Sequence, residues 1–184
     1  SFLISNEFKK PSLNSEQRKL INQANSLRKN GLIEESLNVY SNLFNKSPYL
    51  YEAFKPLKSI FINQKDWDKL IDITNQFLKA NKQSIKTQIE VLDVYLLIGD
   101  TVKWNLIISK LKNKFPINKK EMTTALKILL NNNKIQTIEK TLIEIRKIEP
   151  DYFSLELGLY YSINMAIEKS LDEFFRHIDY NPHK

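Results

Sequence analysis

The chain has 184 residues, of which 42% are hydrophobic and 27% charged, so it can bury a core and is not expected to be disordered. It contains only 3 glycines and no cysteine. These counts disfavour sandwiches, Rossmann sheets and glycine-rich phosphate loops, and they exclude disulfides, cysteine metal ligands and cysteine nucleophiles.

The positive charge is concentrated in the first part of the chain. The net charge is +7, with +10 over residues 1–150 and −3 over residues 151–184. Lysine supplies 24 of the 28 basic residues, whereas phosphate and nucleic-acid sites usually use arginine forks as well. The charge is therefore weak evidence for a nucleic-acid partner.

The first residues, Ser1 to Ser5, are mostly apolar and then give way to polar residues. Two interpretations stay open, namely the remnant of a secretory signal and the frayed start of a first helix. The first would make the protein exported or periplasmic and the second leaves it cytoplasmic, so the compartment is left undecided. No run of 18 apolar residues is present that would span a membrane.

Turn-forming residues recur with a fixed period. The interval from Gly31 to Gly99 is 68, which is twice 34, and the intervals between the prolines Pro48, Pro116 and Pro150 are 68 and 34. Asn133 follows Gly99 by the same interval of 34, and asparagine is the best substitute for glycine where the backbone is left-handed. The unit without these markers has Lys65 and Lys82 in their places. The spacing predicts a 34-residue repeat.

The pattern of apolar residues predicts two amphipathic helices in each unit, because these residues recur at helical spacing on either side of each turn. We expect four such units over residues 17–150, after an N-terminal extension or capping segment at 1–16. A fifth, less regular hairpin or C-terminal cap follows at 151–184. The prediction is an all-α fold of nine to eleven helices without a sheet, since one hairpin cannot bury its apolar face alone.

This pattern resembles the tetratricopeptide repeat family. Gly31, Gly99 and the three unit-ending prolines match its turns, and Ala24 matches its small slot, where two helices touch. The resemblance implies a right-handed superhelical solenoid of stacked antiparallel helical hairpins. The two small slots hold larger residues in later units: Lys58, Leu92 and Leu126 in the first helix, and Leu70, Trp104 and Ile138 in the second. We therefore expect the helices of those units to pack further apart or at altered angles.

The resemblance also implies a non-catalytic scaffold for protein–protein interaction, with no cofactor and no catalytic residue. In that family the first helices line a concave groove that binds a peptide or protein segment. When the repeats of this chain are aligned with those of the family, the positions that correspond to the groove are Asn25, Lys29, Lys55, Ile62, Lys86, Ile89, Leu97, Lys120, Lys127 and Leu130. Lysines beside apolar residues favour an acidic and apolar partner, and a second copy of the chain is one candidate because residues 151–184 are acidic and aromatic. Some members of the family clamp a C-terminal carboxylate with lysine and asparagine at set positions. Only Asn25 and Lys86 match those positions here, and Ile21, Pro56 and Glu90 occupy the others, so we reject this specific function.

Two alternatives stay open. A lysine-rich helical repeat could bind RNA or another single-stranded nucleic acid, although no regular pair of base-reading side chains is found. The chain could also be the repeat portion of a larger protein. Glu173 and His177 have the i, i+4 spacing of metal ligands, but we favour an ion pair at a helix end and predict no metal site. Trp67 and Trp104 are expected in the core.

Overall fold

The computed structural model describes residues 12–181. Eleven α-helices and no strand occur in this range, which confirms the all-α prediction and the number of helices. The chain divides between Ser84 and Ile85 into two compact units. The apolar start at Ser1–Ser5 lies outside the described residues.

The first unit contains two helical hairpins. Its helices are α1 (Ser15–Lys29), α2 (Ile33–Lys46), α3 (Tyr51–Gln64) and α4 (Trp67–Ala80). The second unit contains three hairpins. Its helices are α5 (Ile85–Glu90), α6 (Leu92–Leu97), α7 (Thr101–Asn113), α8 (Lys119–Asn131), α9 (Ile135–Ile145), α10 (Ser154–Ile163) and α11 (Ile167–Tyr180).

A left-handed residue closes every hairpin turn. These residues are Gly31, Lys65, Gly99, Asn133 and Met165, with φ between 54° and 79°. The first four recur at a constant interval of 34, and the last interval is 32. The amide after each one donates to a carbonyl five residues earlier, as in Leu32 to Leu27 and Lys134 to Leu129, which satisfies an orphan carbonyl at the helix end. The turns confirm the predicted tetratricopeptide-like repeat.

Second helices begin at the same place in each unit, and two of them share a polar cap. The Asp66 carboxylate accepts from the Lys69 amide at the start of α4, and Asp100 does the same with Lys103 at the start of α7. Hydrogen bonds from the same lysines hold the pKa of both aspartates below the usual range. This cap satisfies an amide of the first turn and places a carboxylate at the positive end of the helix dipole.

Stacked aromatic rings form the core of the first unit. The Phe54 and Phe77 rings are parallel, with centroids 4.1 Å apart, and Phe44 lies against Phe54. Pro56 lies inside α3, which begins at Tyr51 and continues to Gln64, so the proline does not delay the start of the helix. The prediction that Trp67 is buried is wrong, because this first residue of α4 is 40% exposed.

Aliphatic residues form the core of the second unit. Leu111, Met122, Leu126, Leu129 and Ile138 are all fully buried, and Trp104 is buried as predicted. The first helix of the third hairpin is broken at Val91, whose backbone leaves the helical region with φ −111° and ψ 2°. A β-branched side chain disfavours the helix, and it is completely buried here.

Small slots are sites of close helix contact in two of the hairpins. In the first hairpin the Ser36 hydroxyl donates to the Ala24 carbonyl at 2.9 Å, and in the fifth the Ser170 hydroxyl donates to the Gly158 carbonyl at 3.0 Å. The helices of these two hairpins have more close backbone contacts with each other than α8 and α9 have, where Leu126 and Ile138 occupy the same slots. Fewer contacts fit a wider spacing or an altered angle of α8 and α9, which stays a prediction.

None of the helices between residues 12 and 181 combines the length and the apolar character that crossing a membrane requires.

Candidate binding cleft on the first helices

Three of the predicted groove residues meet in the second unit. Lys86 and Ile89 on α5 and Lys120 on α8 line a surface cleft of about 300 Å³. Ile89 is 7% exposed, whereas both lysines are more accessible at the rim. The cleft is completed by Glu90, Glu121 and Thr124. An apolar side chain of a ligand could therefore lie near Ile89, with charged groups of both signs around it.

The other predicted residues of the second unit lie outside this cleft. Leu97 at the end of α6 is 48% exposed, and Leu130 near the end of α8 is half-buried. Lys127 is exposed, but its ammonium lies 3.2 Å from the Glu156 carboxylate of α10. This lysine therefore links the fourth hairpin to the fifth, a contact that sequence spacing did not reveal.

The four remaining predicted residues belong to the first unit. Lys29 and Lys55 are exposed, and Ile62 is half-buried. The Asn25 side-chain oxygen accepts a hydrogen bond of 2.6 Å from the Tyr40 hydroxyl of α2. Burial raises the pKa of that hydroxyl, so Tyr40 stays a donor over the ordinary pH range. Asn25 is thus fixed in orientation by its own hairpin, which leaves its amide nitrogen for other contacts.

The cleft between the fourth and fifth hairpins was not predicted from the sequence. It has a volume of about 410 Å³ and is lined by residues of α9, α10 and α11 together with Arg146. The Arg146 guanidinium forms a two-pronged ion pair with the Glu173 carboxylate, at 2.8 Å for one of its two hydrogen bonds. It also donates to the Tyr152 carbonyl and the Ser154 hydroxyl. The fourth and fifth hairpins are therefore joined by charged groups around a cavity.

A second polar cluster lies on the same cleft. The Glu139 carboxylate accepts from the Tyr161 hydroxyl at 2.6 Å and from the Lys169 ammonium at 2.9 Å. Both hydrogen bonds lower the pKa of Glu139, and the bond from Tyr161 has the larger effect. Burial and the bond to Glu139 raise the pKa of Tyr161. The arrangement is a satisfied structural network, since its members are already paired with one another.

Glu173 and His177 do not form a metal pair in this arrangement, because Arg146 occupies both oxygens of the Glu173 carboxylate. In the range 12–181 no group of three potential ligands is found that would hold a metal ion. The ion pair that we expected between Glu173 and His177 is not found, because Glu173 pairs with Arg146 instead. One signal was available in the sequence, since Arg146 is one of only four arginines.

Tyr152 forms a further contact between the fifth hairpin and the fourth, at the beginning of α8. Its hydroxyl lies 2.8 Å from the Thr123 hydroxyl and donates to the Lys119 carbonyl, while its ring packs edge-on against Phe115 with centroids 4.9 Å apart. Burial raises the pKa of Tyr152 to about 12. The contact fixes the loop before α10 to the beginning of α8.

The described chain is thus a helical-repeat protein with tetratricopeptide-like hairpins, on the evidence of its own turns and spacing. No protein-family model matches the sequence, and no curated protein matches it either. Among solved structures it is similar to YrrB, described as a TPR protein with an unusual peptide-binding site. The similarity covers 89% of this chain and 86% of that chain, at 14% sequence identity and a TM-score of 0.47.

Proposed function

We propose that the protein is a non-catalytic interaction scaffold that binds a peptide or protein segment along its first helices. The observation that carries this proposal is the surface cleft that the exposed Lys86 and Lys120 line together with the largely buried Ile89. Recognition of a short segment requires an apolar contact for affinity and charged groups for orientation. The cleft offers both on two adjacent first helices.

The ligand that best fits this cleft is an extended or helical segment with an apolar and an acidic residue. The apolar residue would contact Ile89, and the carboxylate would lie near the two ammonium groups at the rim. Glu90 and Glu121 make the cleft neutral as a whole, so a polyacidic ligand would gain little. We expect apolar contacts to determine the affinity and the lysines to determine the association rate and its salt dependence.

The test compares two charge reversals on the same fold. The probe is a fluorescein-labelled peptide of about a dozen residues that has one leucine and one glutamate among serine and threonine residues, and its anisotropy is measured with the 184-residue chain. Lys86→Glu with Lys120→Glu should weaken binding roughly tenfold, which corresponds to about 1.4 kcal/mol. Lys110→Glu with Lys140→Glu is the matched control, since both lysines are exposed on second helices. Lys127 is left unchanged because of its contact with Glu156.

Equal losses in both double variants would show that only net charge matters, and the proposal would then be wrong. A labelled oligouridine serves as the second probe. If it binds more tightly than the peptide at physiological salt and is released steeply as salt rises, nucleic-acid binding replaces peptide binding as the function.

A further inference from the structure

The outer face of the fifth hairpin is apolar and exposed. Seven large side chains on it are between 44% and 80% exposed: Leu155, Leu159 and Ile163 on α10, and Ile167, Leu171, Phe175 and Ile178 on α11. Together these seven side chains, each about half exposed or more, present an apolar surface on the order of several hundred Å². The largest apolar patch of a typical monomer is about 300–600 Å², and patches of this size mark interaction sites.

Helix α10 is apolar on two opposite sides. Leu157 and Tyr161 are buried toward the fourth hairpin, where both line the 410 Å³ cleft. Leu155, Leu159 and Ile163 recur every four residues on an exposed side. A helix that is apolar around most of its circumference is typical of a position between two neighbours. Besides its hairpin partner α11, α10 has the fourth hairpin on one side. No neighbour covers the exposed side among the described residues.

The repeat identifies what kind of neighbour fits. The fourth hairpin holds the fifth through side chains that contact α10, α11 or the loop before them. Four of them are Thr123, Lys127, Glu139 and Arg146, which bond to Tyr152, Glu156, Tyr161 with Lys169, and Glu173 respectively. These four positions therefore define the surface on which the next hairpin is seated.

The fifth hairpin presents the same surface with different chemistry. The left-handed turn residues Asn133 and Met165 align the two hairpins, with a shift of 32 in residue number. With that shift, the four seating positions correspond to Leu155, Leu159, Leu171 and Ile178. All four are exposed. The side chains that form polar contacts with the next hairpin in the fourth unit are thus replaced by exposed apolar side chains at the equivalent positions, which favours packing of a helix there.

One edge of this surface is acidic. The residues that follow Ile167, Leu171 and Ile178 in sequence are Glu168, Asp172 and Asp179, while Arg176 follows Phe175. One residue further along a helix lies about 100° further round it, so Glu168 and Asp179 flank the apolar stripe. Asp172 and Arg176 line the cleft toward the fourth hairpin as well. None of the three carboxylates forms an ion pair with residues between 12 and 181. A basic flank on the partner would complement this acidic edge.

We propose that this surface, formed by α10 and α11, binds an amphipathic helix of another protein whose apolar stripe is flanked by lysine or arginine. A second copy of this chain fits less well. Packing α11 on its own copy about a twofold axis across the helices places the two acidic edges side by side, and like charges oppose such pairing. The exposed area is of the same order as the roughly 800 Å² that each partner of a standard interface contributes.

The test uses three labelled peptides of about 18 residues, long enough to form a helix on the surface. The first has leucines at helical i, i+3, i+4 and i+7 positions and lysines elsewhere, the second replaces lysine with glutamate, and the third scatters the leucines of the first. Anisotropy with the 184-residue chain at physiological salt should show binding of the first peptide. Binding of the other two should be at least roughly tenfold weaker.

Two sets of variants locate the binding surface. Ile163→Ser with Phe175→Ser should weaken binding of the lysine peptide roughly tenfold or more, because both side chains are exposed parts of the stripe. Val102→Ser with Ile117→Ser is the matched control, since these residues are exposed elsewhere in the second unit. Glu168→Gln with Asp179→Asn should weaken binding several-fold and reduce its salt dependence. Circular dichroism checks that helix content is retained, and Ile163→Ser alone replaces the double variant if Phe175→Ser unfolds α11.

Three results would overturn the proposal. They are an equal loss in the control pair, equal binding of the glutamate peptide, and concentration-dependent dimerisation in sedimentation that Ile163→Ser abolishes. The last result would assign the surface to a second copy. Lys86→Glu with Lys120→Glu should leave this binding unchanged, so the end surface and the cleft on the first helices can fail independently.

Discussion

The first and fifth hairpins hold their helices together differently from the fourth. In the first and fifth, small residues let one helix backbone reach the other, and a serine hydroxyl bonds to the facing carbonyl across the contact. A methyl group at Gly158 would lie 2.8 Å from the Phe174 ring, which shows how close this approach is. In the fourth hairpin, Leu126 and Ile138 fill the same slots and are fully buried.

The first four hairpins keep the same repeat spacing whatever their slots hold, because the left-handed turn rather than the slot residue reverses the chain. The turn residues from Gly31 to Asn133 keep the interval of 34 through units with small slots and units with bulky slots. The slot instead determines what fills the space between two helices. Backbone and a hydroxyl fill it in one case, and a layer of aliphatic side chains fills it in the other.

The largest effect is expected where the aliphatic layer is removed. Leu126→Ala should lower the free energy of unfolding by about 2–5 kcal/mol, because α8 and α9 cannot close onto the cavity while Ile138 keeps them apart. Urea denaturation followed by circular dichroism measures the change, with the half-exposed Leu106→Ala as the control. A cost below that of the control would mean that this hairpin can adopt the close packing of the first.

The reverse change tests a small slot. Ala24→Leu should lower the free energy of unfolding by about 1–3 kcal/mol, because the added atoms would meet the backbone of α2 near Ser36. The same urea experiment applies, and Ser26→Leu on the exposed side of α1 is the control. An unchanged midpoint for Ala24→Leu would show that the first hairpin can widen to accept a layer of side chains.

A smaller effect isolates the hydroxyl bond. Ser170→Ala should lower the free energy of unfolding by about 0.5–1.5 kcal/mol, since it removes one buried hydrogen bond without changing the size of the slot much. Ser162→Ala removes an exposed hydroxyl from the same hairpin and should be near neutral. If both variants behave alike, the close approach alone stabilises this hairpin.

The smallest effect concerns the turn that all the hairpins share. Lys65→Gly should raise the free energy of unfolding by up to about 1 kcal/mol, because lysine is strained at a φ of 57° whereas glycine is not. Lys55→Gly inside α3 should instead lower it by about 0.5–1 kcal/mol. Thermal melting that showed a loss for both would argue that Lys65 has a stabilising contact that outweighs its backbone strain.

Turns marked by glycine or asparagine were predictable, because few residues adopt a left-handed backbone at low cost. Lys65 has no such preference and could be placed only through the period. Met165 could not be placed at all, because the turn of the fifth hairpin follows Asn133 by an interval of 32 instead of 34. The break at Val91 has no marker in the sequence, since one valine inside an apolar run does not distinguish a break from a continuous helix.

The cleft on the first helices was predictable in part for a similar reason. Phase along the repeat brings Lys86, Ile89 and Lys120 together, because they belong to first helices of consecutive units. The network around Arg146 was not predictable, since its partners come from a loop and from the second helix of the next hairpin. Long polar side chains reach several neighbours, and a periodic pattern does not select among them.

Helix α11 is covered on one side only, and this has a consequence for its local stability. Contacts with α10 and the ion pair to Arg146 hold this helix in place, while the stripe from Ile167 to Ile178 contributes little burial. Opening of this helix should therefore cost less than global unfolding, and its amides should exchange with deuterium faster than those of α8, whose core residues are fully buried. A helix bound to the outer face of the fifth hairpin would slow that exchange. Binding could therefore be detected as slower deuterium exchange of the α11 amides, without a change in the conformation of the hairpin.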